Sequence, residues 1–126
     1  MYPEDLRYAK DHEWARRENG KVRVGITHYA QDELGDVVFV DLPRVGDQVQ
    51  AGDAFAVVES VKAVSDIFAP VSGTVVEVNE ALNDSPELIN SSPYGDGWIA
   101  VIEMDNPAEL DELMDAEAYR RQVEGE

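Results

Sequence analysis

Val57-Val58-Glu59-Ser60-Val61-Lys62-Ala63-Val64-Ser65-Asp66-Ile67-Phe68 is the stretch from which the fold can be read. Two runs rich in β-branched and aromatic residues, Ala54 to Glu59 and Ala63 to Phe68, read as strands. Lys62 falls between them, at the tip of a hairpin, where a chain is most exposed and a modifying enzyme can reach it. Behind them, Ser72-Gly73 opens a further strand, Thr74 to Asn79. Lysine is scarce here: Lys10, Lys21 and Lys62 are the three in the chain, and Lys and Arg together number 10 against 27 Asp and Glu. A lysine inside a strand-turn-strand unit therefore calls for a reason.

Working outward, Val22, Val24 and Ile26 alternate with Lys21, Arg23 and Gly25, a half-buried strand entered through Asn19-Gly20. Thr27 as cap and Gly35 as the residue past the end frame a short helix over about 28–34. Asp36 to Leu42 reads as a buried strand stopped by Pro43. Two Gly-Asp steps, Gly46-Asp47 and Gly52-Asp53, bracket a short extended piece. Residues 80–97 read as a loop, and Trp98 to Glu103 as the last strand. Asn106-Pro107 opens a C-terminal helical segment, about 107–123, with Leu110, Leu113 and Met114 as its apolar stripe; Asp115 starts a further turn containing Tyr119. Residues 1–18 read as an irregular segment with a helical turn at Glu4 to Tyr8. Trp14, Trp98, Phe39 and Phe55 are expected in the core. Gly46, Gly52 and Gly73 are expected at backbone positions needing unusual φ. Many short strands with close-set turns predict a mainly β sandwich or small barrel, one domain over 1–126 with its β core at about 21–104.

Composition narrows the function. A chain of 126 residues, 44% hydrophobic and 29% charged, supports one core and a soluble surface. A formal charge of −17 excludes nucleic acid and anionic membranes as partners, because both need clustered Lys and Arg. The same acidity serves solubility or steering toward basic clefts, and charge alone does not separate the two. Without cysteine, the protein has no thiol chemistry of its own. His12 and His28 are too few, and too poor in ligand partners, for a metal site. Ser60, Ser65, His28 and Asp66 include triad residue types, but nothing resembles a nucleophile elbow. The opening residues are polar and acidic, so no targeting segment is expected and the location is read as cytoplasmic, or mitochondrial only after removal of a transit peptide.

Glu59-Ser60-Val61-Lys62-Ala63, then Ser65-Asp66, Pro70-Val71-Ser72-Gly73 and Val76-Glu77-Val78-Asn79 resemble the lipoyl-attachment region of the glycine cleavage system H-protein family. The likeness continues in order through His12-Glu13-Trp14, Gly25-Ile26-Thr27, Ala30-Gln31-Asp32, Leu34-Gly35-Asp36, Leu42-Pro43, Leu88 to Tyr94 and Gly97-Trp98. It spans about Tyr8 to Tyr119. Biotinyl carriers place the lysine between methionines, and lipoyl domains of 2-oxoacid dehydrogenases are shorter and usually show Asp before it; here Val61 and Ala63 flank Lys62.

The resemblance implies a lipoyl/biotinyl-carrier-like barrel-sandwich hybrid and a non-enzymatic carrier, with lipoic acid in amide linkage to Lys62. It implies three clients: a pyridoxal-phosphate glycine decarboxylase, a tetrahydrofolate-dependent aminomethyltransferase and an FAD-dependent dihydrolipoamide dehydrogenase, besides lipoate-attaching enzymes. Glu59, Ser60 and Asp66 are expected to mark the attachment site, although acids and serine also suit a solvated hairpin. The resemblance further implies a cleft that shelters the loaded arm, with carboxylates for its cationic amine; Glu13, Asp66 and Glu33 are the candidates, Glu33 standing where some members carry histidine. In so acidic a protein these three are also ordinary surface acids. A lipoyl donor for other enzymes, or an unmodified β binding module, are the other readings of such a chain.

Overall fold

The computed structural model describes residues 2–126. Fourteen short elements follow one another: β1 (Arg7–Tyr8), β2 (Glu13–Glu18), β3 (Lys21–Ile26), α1 (His28–Leu34), β4 (Val37–Asp41), β5 (Gln48–Val49), β6 (Ala54–Ser60), β7 (Val64–Phe68), β8 (Gly73–Val78), α2 (Ala81–Asp84), α3 (Leu88–Ser91), β9 (Ala100–Met104), α4 (Ala108–Asp111) and α5 (Ala116–Glu124). The strands form two open antiparallel sheets, a six-stranded one in the order β1-β2-β3-β9-β8-β5 and a three-stranded one in the order β4-β6-β7. This is the mainly β arrangement expected, sandwiched rather than closed into a barrel. No described helix is long and apolar enough to cross a membrane.

The inward rows of the two sheets meet in one apolar cluster. Val22, Val24 and Ile26 come from β3, Val75 from β8 and Ile102 from β9; Val40, Ala56, Val58 and Ile67 come from the smaller sheet. Period-2 alternation puts them there: on β6, Ala56, Val58 and Ser60 point in while Glu59 points out. The hairpin of β2 and β3 turns at Asn19, whose φ of 52° suits asparagine better than most residues. Trp14 lies opposite Gly25, and a Cβ there would fall 2.6 Å from the indole ring, so glycine makes the room for a wholly buried tryptophan.

Several expectations are corrected. Residues 1–18 are not an irregular segment with a helical turn: Arg7–Tyr8 is a strand because it pairs with the strand Glu13–Glu18, Arg7 with Ala15 and Tyr8 with Trp14, and Tyr8 also exchanges both backbone hydrogen bonds with Met114 at 2.8 and 2.9 Å. The Met114 exchange takes that residue off the expected helical stripe, because a residue drawn into extended pairing cannot continue α4; Asp115 then starts the further helix that was expected, capping α5. The stretch 80–97 is not all loop but carries α2 and α3. Phe39 is 53% exposed rather than core, since a bulge between Val37 and Phe39 turns its side chain outward. Trp98 is only partly buried and carries the Arg23 guanidinium on its face, 4.3 Å from the ring centre. Gly46 and Gly52 do have positive φ, 99° and 94°; Gly73 does not, and is required because a Cβ would overlap the carbonyl of Glu103 on the neighbouring strand.

A second, aromatic cluster closes the other end. Leu6, Tyr8, Trp14 and Tyr119 are buried together, and the Tyr8 and Tyr119 rings stack 4.7 Å apart. Burial pushes both phenols well above the usual tyrosine range. The Tyr119 hydroxyl hydrogen-bonds Thr27 Oγ1 at 2.7 Å and His12 Nδ1 at 2.8 Å, fastening α5 to the start of α1.

Candidate functional site

Lys62 sits at the tip of the β6–β7 hairpin, as expected, and Ser60 builds that tip. The Ser60 N–H donates to the Ala63 carbonyl at 2.8 Å, while its Oγ accepts from the N–H of Ala63 at 3.1 Å and of Lys62 at 3.3 Å. Ser60 is 7% exposed, so its hydroxyl is spent on the turn and is not offered to a partner or to hydrolytic chemistry. The Val61 N–H donates to the Asp36 carbonyl at 3.0 Å, which ties the tip to the chain leaving α1.

That tie brings Lys62 over Gly35. Gly35 ends α1 with a φ of 81°, and a Cβ placed on it would lie 3.4 Å from Lys62 Cε and 3.8 Å from Cδ. The lysine stem thus crosses the one residue of this segment that offers no side chain. Among the described residues the Lys62 ammonium makes no ion pair within 4 Å, in a protein with 27 acids. A long stem on a smooth backbone surface, with its head free, is the arrangement an acylated swinging arm needs.

Asn90, which sequence reasoning did not single out for this role, holds the platform. Its Oδ1 accepts from the Val37 N–H at 2.8 Å; its Nδ2 donates to the Gly35 carbonyl at 2.9 Å and to Gln31 Oε1 at 3.0 Å. Residues 35–37 have no strand partner for these groups, so one amide side chain from α3 satisfies both. The only sequence sign was its place in the Leu88 to Tyr94 block.

The other expected residues fall into three places. Glu59 is exposed on the outward face of the three-stranded sheet, opposite Phe39 on one side and Val64 on the other. Asp66 lies on the same face of β7 and also borders a cleft of about 290 Å³ between β7, α1 and the Asp11-His12 corner. Glu33 lines that cleft too, as do Leu34 and Ile67, so the structure brings Glu33 and Asp66 together. Glu126 reaches its mouth, held by His12 Nε2 at 3.3 Å and the Tyr29 hydroxyl at 3.4 Å.

Glu13 is not brought to that cleft. It is 1% exposed, and its Oε2 accepts from the Phe68 N–H at 3.1 Å. It borders a different cavity with Tyr8 and Pro70. Burial pushes its carboxyl up to about 7, with the hydrogen bond from Phe68 opposing the shift and Asp11 adding to it.

Residues 6–126 match the family model described as glycine cleavage H-protein. The chain is 58% identical over 122 residues to the glycine cleavage system H protein of Anaeromyxobacter sp. (strain K), covering 97% of this chain and 95% of that one. It is 60% identical over 125 residues to the protein of that name from Salmonella arizonae, covering 98% and 97%. The crystal structure of a glycine cleavage system H protein from Mycobacterium marinum superposes with a TM-score of 0.90 at 44% identity, covering 97% of this chain and 98% of that one. With a free lysine presented at the end of a scaffold matched along nearly its whole length, the chain belongs to the glycine cleavage H-protein family, a lipoyl-bearing shuttle of that system and not a catalyst.

Proposed function

We propose that Lys62 is the lipoyl-bearing residue and that the loaded arm is sheltered in the cleft lined by Glu33 and Asp66. The observation that carries this reading is the path of the lysine stem across Gly35. Gly35 ends α1, and Leu34 and Glu33, the residues just before it, already border the cleft. A helix of seven residues is about 10 Å long, so an arm roughly twice the reach of lysine can follow α1 along the cleft.

The lipoyl group supplies a dithiolane that takes an aminomethyl group on sulfur and is afterwards reoxidised. The protein's own residues supply shelter and charge. Glu33 and Asp66 face a cationic amine with two carboxylates, and Leu34 and Ile67 give the same cleft apolar walls that keep water away. Glu13 acts at one remove, as a positioning residue: its carboxyl holds the Phe68 N–H at the end of the strand that carries Asp66. The partners on this reading are the pyridoxal-phosphate glycine decarboxylase, the tetrahydrofolate-dependent aminomethyltransferase, the FAD-dependent dihydrolipoamide dehydrogenase and a lipoate-attaching enzyme, met in the cytoplasm.

Incubating the unmodified protein with a lipoate-attaching enzyme, lipoate and ATP, followed by intact mass and peptide mapping, tests the attachment. One lipoyl group on Lys62, and none on Lys62→Arg, is expected; lipoate on Lys10 or Lys21 would overturn it. For the cleft, formaldehyde and ammonia release from the loaded protein is timed. Asp66→Ala and Glu33→Ala are expected to accelerate release while leaving lipoylation and the melt unchanged. Unaltered rates in both would remove the cleft assignment.

A further inference from the structure

We propose that the outward face of the three-stranded sheet, with Phe39 and Val64 on either side of Glu59, is the seat of the enzyme that acylates Lys62. The inference rests on Lys62 being the attachment residue and adds the surface that a partner must recognise.

Four of the five large exposed apolar side chains among the described residues gather at this end: Val38 (50% exposed), Phe39 (53%), Val61 (69%) and Val64 (67%). Strand pairing explains the grouping. Phe39 pairs with Glu59, and Glu59 with Val64, so the three stand in one row across β4, β6 and β7, pointing away from the core. Val61 adjoins Lys62 in the turn. The row thus reads apolar, acidic, apolar, immediately beside the lysine. In the next row, Asp41 and Asp66 flank Val57 in the reverse pattern. A surface of this kind fits a partner with an apolar pocket for Phe39 and cationic side chains opposite Glu59 and Asp41.

Reach selects the acylating enzyme from among the partners. Before modification, Lys62 extends only four methylenes from the backbone, and that stem lies against Gly35. The neutral amine Nζ must attack the carboxyl carbon of lipoate activated as its mixed anhydride with AMP. The C–N bond forms, the C–O bond to phosphate breaks, AMP leaves and the amine proton passes to solvent. For that, the activated carbon has to come to the hairpin itself, and the enzyme surface around it must cover whatever surrounds the tip. Enzymes acting later meet the far end of a longer arm, away from the tip itself.

The test measures lipoylation of the unmodified protein by a purified lipoate-attaching enzyme with lipoate and ATP, by intact mass, over a range of carrier concentrations. Phe39→Ser and Val64→Ser are compared with Val45→Ser, which alters an equally exposed valine (62%) on a distant turn. Anchors of this kind dominate binding, so KM for the carrier is expected to rise about tenfold or more for Phe39→Ser, with kcat and the thermal melt retained and Val45→Ser unchanged. An unchanged KM, or a loss confined to kcat, overturns the proposal. So does an equal rise in the KM of dihydrolipoamide dehydrogenase for the lipoylated Phe39→Ser protein, which would make the face a seat common to all clients. Peptide mapping keeps the two readings apart: lipoate on a residue other than Lys62 in the wild type would refute the attachment assignment, whereas a normal KM with Lys62 modified refutes only the docking face.

Discussion

Glu13→Gln should change how the stability of this protein depends on pH, and by an amount that follows from its burial. The Glu13 carboxyl titrates near 7 in the folded protein and at its ordinary value of 4.5 once unfolded. Between those values the folded state keeps a proton that the unfolded state gives up. Stability from this group is therefore fully present below 4.5 and is lost as pH rises to 7. A shift of that size corresponds to about 3 kcal/mol in all, most of it falling between pH 5 and pH 8. Glutamine keeps an acceptor for the Phe68 N–H and carries no proton to lose. Urea unfolding of the unmodified wild-type and Glu13→Gln proteins at pH 5, 6, 7 and 8 measures the difference directly. The variant should gain on the wild type by roughly 2–3 kcal/mol across that range, with a smaller gain below pH 5. A difference between the two that is constant with pH would show that Glu13 is ionised in the fold at neutral pH, and would refute the reasoning.

Gly25→Ala places a methyl group against the Trp14 ring and should cost about 1–3 kcal/mol in urea unfolding. Asn90→Ala leaves the Gly35 carbonyl and the Val37 N–H without their partner, which should cost about 1–3 kcal/mol; hydrogen exchange should speed up at Val37. Circular dichroism melts of unmodified and lipoylated protein should nearly coincide, since the core is built from the chain alone; a cooperative transition seen only after lipoylation would contradict this. The association rate with basic client surfaces should fall between low and moderate salt, because screening shortens the field to about 10 Å at 0.1 M; a salt-independent rate would assign the charge of −17 to solubility.

The hairpin carrying Lys62 was legible in the sequence because it rests on two local signals, period-2 alternation and an interruption by turn residues. The α1 caps were legible for the same reason: Thr27 accepts from the Ala30 N–H, and the Gly35 N–H returns to the Gln31 carbonyl, both within one turn. What was not legible depends on partners far along the chain. Tyr8 also bridges to Met114, which ends the helical run there, and Asn90 matters through Gly35 and Val37. Phe39 was misread because a bulge breaks the alternation that would have buried it. Among the site residues, Lys62 was placed by its turn. Glu13 and Asp66 look alike as acids in a list of 27, and only burial separates one as a core carboxyl from the other as a cleft-lining group.

The stacking of Tyr8 on Tyr119 sets an order on biosynthesis. His12 and Tyr119, hydrogen-bonded in the fold, are 107 residues apart. While the chain is being made, Leu6, Tyr8 and Trp14 emerge early and stay uncovered until α5 follows. The two strands of the β6–β7 hairpin pair with each other across a short turn, and closing so short a loop is fast. The lysine arm can therefore be displayed on a nascent chain whose aromatic end is still open, so that end is where premature proteolysis and self-association would strike.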